Sequence, residues 1–137
     1  TAWTQVGGDI DGEAADDLSG VSVSLSSDGR RVAIGNDSGH VRVYDWNGTA
    51  WTQVGGDIDG EAADDLLGFS VSLSSDGRRV AIGAPRNDSN GKDSGHVRVY
   101  RFASASSAAT PVSTLPLFGL GILVSLLGLF GLRKLRQ

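Results

Sequence analysis

The side chains best equipped for chemistry in this sequence are spaced carboxylates. Asp9, Asp11, Glu13, Asp16 and Asp17 surround Gly12, and the set returns as Asp57, Asp59, Glu61, Asp64 and Asp65. Oxygen ligands spaced along a loop that contains a glycine can wrap Ca²⁺, which takes about six to eight oxygens. The glycine falls too early for an EF-hand loop and the ligand pattern is incomplete, so the plain reading is a solvated acidic connection. A second stretch, Asp88-Ser89-Asn90-Gly91-Lys92-Asp93, places Asp88, Asn90 and Asp93 at near-alternating positions. The same residue types build turns without any metal. Asp88, Asn90, Asp93, Asp9, Asp11, Asp57 and Asp59 are therefore the candidate Ca²⁺ ligands, and no other cofactor is expected.

Acid–base or nucleophilic catalysis has less to work with. His40 and His96 stand alone in the sequence, and a nucleophile needs a positioned base beside it. The serines alternate along strand-like stretches instead of sitting at a strand–turn–helix elbow. There is no Cys, which excludes disulfides and thiolate metal sites. No catalytic residue is assigned and the chain is not expected to be an enzyme. All sixteen acidic residues lie in residues 1–102 with nine of the twelve Lys/Arg. A body of that charge lacks the basic face that nucleic-acid phosphates require, so nucleic acid is not an expected partner.

The elements that carry these residues are repeated. Residues 1–18 recur unchanged as 49–66, SVSLSSDGRRVAIG at 22–35 recurs as 70–83, and DSGHVRVY at 37–44 recurs as 93–100. Val21, Val23 and Leu25 alternate with Ser22, Ser24 and Ser26, as Phe69, Val71 and Leu73 do with serines in the second copy. Period two is the signature of a strand. Asp28-Gly29 and Asp76-Gly77 read as two-residue hairpin turns. Residues 31–35 supply a return strand, 40–46 a third, and Asn47-Gly48 turns into a fourth at 50–54, which residues 2–6 duplicate. Four short antiparallel strands per repeat describe a β-propeller blade better than a sandwich. The expected fold is all-β, with about two blade-like units (18–56 and 67–102, plus strand 2–6) in 1–102, an incomplete propeller. Closed propellers hold about four to eight blades. Two blades leave both outer faces uncovered, which points to truncation or to assembly with other copies. The lack of Met and the start at Thr1 within a repeat also suggest a fragment or a processed product.

Leu67-Gly68-Phe69-Ser70-Val71 followed by Gly83-Ala84-Pro85 resembles the FG-GAP repeat of integrin α-type propellers, and the longer pattern is similar to bacterial surface proteins built from such repeats. The family's Phe position is Leu67 here and Ser19 in the first copy, which also lacks Ala-Pro after Gly35. The family often binds Ca²⁺ in a D-x-D-x-D-G loop between the first two strands. Here that loop is Ser26-Ser27-Asp28-Gly29, with one carboxylate, and the site is not carried over.

After residue 102 the composition changes. Residues 103–114 (ASASSAATPVST) are uncharged and aperiodic and read as a linker. Residues 115–132 are uncharged and apolar, and as a helix would span roughly 27 Å, near the thickness of a bilayer's hydrocarbon core. The basic tail 133–137 follows, with Arg133, Lys134 and Arg136 as a stop cluster that keeps the C-terminus cytoplasmic and the repeats outside. The tail is also similar to bacterial sorting signals of the IPTL-CTERM or PEP-CTERM type, with Thr114, Leu115 and Pro116 as the motif. That resemblance implies a membrane transpeptidase as a partner. The function expected is a bacterial cell-envelope protein, single-pass and with its repeats extracytoplasmic, that displays propeller repeats for adhesion to a protein or glycan ligand. The competing readings are a non-catalytic appendage of an envelope enzyme whose catalytic domain lies upstream, and a degenerate fragment.

Overall fold

The period-two stretches become strands almost residue for residue in the computed structural model, which describes residues 1–103. They are β1 (Ser22–Leu25), β2 (Arg31–Gly35), β3 (His40–Trp46), β4 (Trp51–Gln53), β5 (Ile58–Asp59), β6 (Ser70–Leu73), β7 (Arg79–Ala84) and β8 (His96–Arg101). A single 3₁₀ turn, Ala63–Asp65, interrupts the connection into β6. The strands form two antiparallel sheets, ordered β1-β2-β3-β4 with β5 also pairing β3, and β6-β7-β8. The architecture is all-β and consistent with propeller-like blades.

Three local expectations are corrected. The Asp-Gly turns are not two-residue turns. Ser26 N–H bonds to Arg31 O at 2.9 Å, so four residues loop between the paired ends. Gly29 supplies the left-handed position with φ 72°, where a Cβ would be strained. Residues 2–6 form no strand, and Trp3 is fully exposed. Their duplicate at Trp51–Gln53 is a strand because β3 runs beside it, whereas no strand among the described residues lies beside 2–6. The second unit correspondingly has three strands, not four.

The core lies between the sheets. In the first sheet, Ser22, Gly35 and Val41 are directly opposite one another, as are Ser24, Ala33 and Val43, so these six share a face. In the second, Val71 opposes Ile82 and Leu73 opposes Val80, which puts the four apolar residues on one face. Ala33, Val41, Leu67, Val80, Ile82 and Ala84 form one buried cluster, with Val43, Val71 and Leu73 packed against it. The hydroxyls of Ser22 and Ser24 do not face water. Ser22 Oγ donates to Gly68 O at 2.7 Å, and Leu73 N–H donates to Ser24 Oγ at 2.9 Å. Small residues on that face let the second sheet approach closely enough for its backbone to be hydrogen-bonded by side chains. The hairpin loops are joined too: Ser27 N–H donates to Ser75 O at 2.9 Å, and Arg31 Nη1 to Gly77 O at 2.8 Å.

Among the described residues no helix is long and apolar enough to cross a membrane. The 115–132 segment, Thr114, Leu115 and Pro116, Arg133, Lys134 and Arg136, and the linker beyond residue 103 lie outside the described residues.

Candidate functional site

The acidic connection after β4 returns to β3 instead of projecting into solvent. β5 pairs with β3 so that His40 stands opposite Asp59 and Val41 opposite Ile58. His40 Nδ1 lies 2.6 Å from Asp59 Oδ1, so His40 does have an acidic partner, nineteen residues away. The sequence reading of a lone histidine is corrected: the partner is invisible in the local sequence because only the β3–β5 pairing brings it near. Arg42, one residue further along the same face of β3, grips Asp57 through Nε at 3.0 Å and Nη2 at 3.2 Å, and also pairs with Glu13. Arg42 is buried, and Gln53 Nε2 adds a bond to Asp57 Oδ1 at 2.8 Å.

One ligand atom from each of His40, Asp57 and Asp59 lies within 4.8 Å of the others, a spacing that could hold a metal ion. The chemistry of the group favours an ion-pair clasp. Both Asp57 oxygens already receive a guanidinium that cannot lose its charge, and a cation would have to displace it. No hydroxyl is hydrogen-bonded to His40 among the described residues, so the His40–Asp59 pair has no nucleophile to activate.

The other candidates are dispersed. Asp9 accepts a bond from Gln5 Nε2 at 2.9 Å, the counterpart of Gln53 to Asp57, while Asp11 makes no ion pair among the described residues. Asp88 and Asp93 line an open groove of about 560 Å³ with Asp64, Asp65 and Arg86. Within it, Asp88 Oδ1 accepts the Asp93 backbone N–H at 2.7 Å, which closes the loop that carries Asn90. Asn87, which is not among the candidate ligands, is buried and donates to Asp65 Oδ2 at 2.7 Å and Glu61 Oε1 at 3.0 Å. Asp28 serves as a turn residue. Its Oδ1 accepts Ser26 Oγ–H at 2.8 Å and Arg30 N–H at 3.0 Å, and Asp76 repeats the arrangement.

These bonds set a pH dependence. The Arg42 guanidinium, then Gln53, holds the Asp57 carboxyl below its ordinary 3.8. The Arg30 and Arg78 amides do the same to Asp28 and Asp76, the Ser38 hydroxyl to Asp17, and Asn87 to Glu61, whose ordinary value is 4.5. A depressed folded value means that the unfolded chain binds protons first, so the stabilisation is complete above the ordinary values and is lost as pH falls through the folded ones. Melting temperature should be flat from pH 7 to about 5 and fall progressively below about pH 4. A melting temperature that rises on acidification would contradict these bonds.

Comparison with known families places the FG-GAP repeat on residues 58–100, the stretch from β5 through β8. That stretch is similar to the FG-GAP repeat family. The match covers the second unit, and the first repeats its strand sequences. The match agrees with the propeller-like, all-β arrangement of the strands in this stretch. No curated protein matches the chain.

Proposed function

We propose that the chain is a non-catalytic display module, held at a bacterial cell envelope by residues 115–132, whose repeats outside the membrane bind a protein or glycan in adhesion. The observation that carries this reading is the juxtaposition in one short chain of FG-GAP-type blades with an uncharged apolar run closed by Arg133-Lys134-Leu135-Arg136. An apolar run of that length followed at once by basic residues orients with its basic end inside. The clasped, nucleophile-free geometry around His40 supports binding over catalysis. Sorting by a transpeptidase through Thr114, Leu115 and Pro116 is the alternative to retention, and would remove the tail after the repeats have been exported.

Epitope tags at both ends test it. Protease added to intact cells should remove the N-terminal tag and spare the C-terminal one until the membrane is opened, and the reverse pattern would refute the topology. Mass spectrometry of the mature chain tests sorting, because a retained Gln137 rules out removal of the tail. Cells displaying the full chain should adhere to protein- or glycan-coated surfaces better than cells displaying residues 103–137 alone. Equal adherence would refute the adhesive role.

A further inference from the structure

Both halves of the interface between the two sheets are present a second time, uncovered, on the outside of the described unit. The face of the first sheet that the second covers is Ser22, Ser24, Ala33, Gly35, Val41 and Val43. The second sheet's outer face is the same six residue types in the same register, Ser70, Ser72, Ala81, Gly83, Val97 and Val99. Val41 is 0% exposed, whereas its counterpart Val97 is 68% exposed and Val99 63%. The covering half, Val71, Leu73, Val80 and Ile82, recurs on the first sheet's outer face as Val23, Leu25, Val32 and Ile34, with Val23 63% and Leu25 59% exposed.

The strand edges repeat the pattern. β3 is covered by β4 and β5, whereas β8, with the same HVRVY sequence, has only β7 beside it among the described residues. Residues 1–11 are identical to 49–59, the segment that covers β3, and form no strand. The charges are matched but half-filled. Arg42 holds Glu13 of its own repeat and Asp57 of the next segment. Arg98 holds the corresponding Glu61, and the partner that corresponds to Asp57 is missing among the described residues. Asp9 is the duplicate of Asp57, with its glutamine bond made and no guanidinium. His96 and Asp11 are the sequence duplicates of His40 and Asp59.

We propose that these surfaces join one copy of the chain to a second, head to tail. Residues 2–11 of one copy pair along β8 of its neighbour, Asp9 meets Arg98, Asp11 meets His96, and the first sheet stacks on the neighbour's second sheet. Among the described residues the two complementary surfaces lie on opposite sides of one unit, so residues 1–103 of one copy do not cover them. A heterologous contact of this kind closes into a ring or grows as a filament. A ring of about two to four copies would supply the four to eight blades of a closed propeller.

The test uses the full chain in detergent micelles. Because it has no Cys, cross-links can be placed at will. The β3–β4 register sets Asp45 opposite Thr52, and transferred by the repeat it sets Arg101 opposite Thr4. Oxidising a mixture of Thr4→Cys and Arg101→Cys chains should give a heterodimer, and the double variant a ladder. A Thr4→Cys and Asp88→Cys mixture should stay uncross-linked. In sedimentation, Asp9→Arg and Gly83→Ala should each weaken association of the native chain about ten-fold or more. Within one copy, an added Cβ at Gly83 meets chiefly the Ser70 hydroxyl, so this variant keeps its fold. A native chain that stays monomeric, association insensitive to both variants, or association through the apolar run with no Thr4–Arg101 cross-link would each overturn the proposal.

Discussion

Replacing Gly35 by Ala should destabilise the repeat unit by roughly 3 kcal/mol or more, a large share of a small domain's usual 5–15 kcal/mol. A Cβ at Gly35 would sit 2.0 Å from Gly68 O and 2.5 Å from Ser22 Oγ. The oxygen at Gly68 belongs to backbone held in the left-handed region at φ 95°, so it cannot step aside as a side-chain end can. Relief requires the second sheet to back away, which opens the core around Val41 and Ile82 and breaks the Ser22–Gly68 hydrogen bond. The bond alone is worth about 1 kcal/mol. The internal control is Gly83→Ala, the same substitution in the other repeat. There the added carbon meets the Ser70 hydroxyl at 2.5 Å and no other atom closer than 3.9 Å, and the hydroxyl can rotate away. Its cost to a single copy should be about 1 kcal/mol or less. Urea unfolding of the dilute chain, followed by tryptophan fluorescence, measures both. Equal losses would mean that the two sheets do not meet at Gly35.

That contrast marks where the sequence was legible. The duplicated SVSLSSDGRRVAIG dictated paired strands in each unit, because alternation and Asp-Gly act locally. It did not say what the serine face does. Period two distinguishes two faces of a strand but not water from a neighbouring sheet, and here the hydroxyls of Ser22 and Ser24 bond to the second sheet's backbone. The candidate site was legible as composition only. Asp57 and Asp59 stood out as carboxylates, but their partners Arg42 and His40 lie fifteen and nineteen residues away and are selected by strand register. Residues 2–6 mark the opposite limit. Their sequence is that of a strand, yet a strand needs an edge to pair with, and the identical 50–54 has β3 beside it while 2–6 has no strand beside it among the described residues.

Truncating Leu67 to Ala should cost about 3 kcal/mol, within the 2–5 kcal/mol range for emptying a buried leucine site. Leu67 is 1% exposed and belongs to the cluster with Val41, Ile82 and Ala84. It enters that cluster directly after Leu66, which turns the chain through the left-handed region at φ 59°. Leu67 lies within the stretch that matches the FG-GAP repeat, while Phe69, two residues on, is 53% exposed. The apolar anchor of the repeat is therefore Leu67, and Phe69→Ala should cost clearly less than Leu67→Ala in a single copy, as expected for a side chain that keeps about half of its surface in water on folding. The first repeat has Ser19 at the anchor position, with no sheet before it among the described residues to receive a larger side chain. If urea midpoints place Leu67→Ala within 1 kcal/mol of the native chain, the two sheets do not share one core. If Phe69→Ala proves the costlier of the two, the anchor has been assigned to the wrong residue.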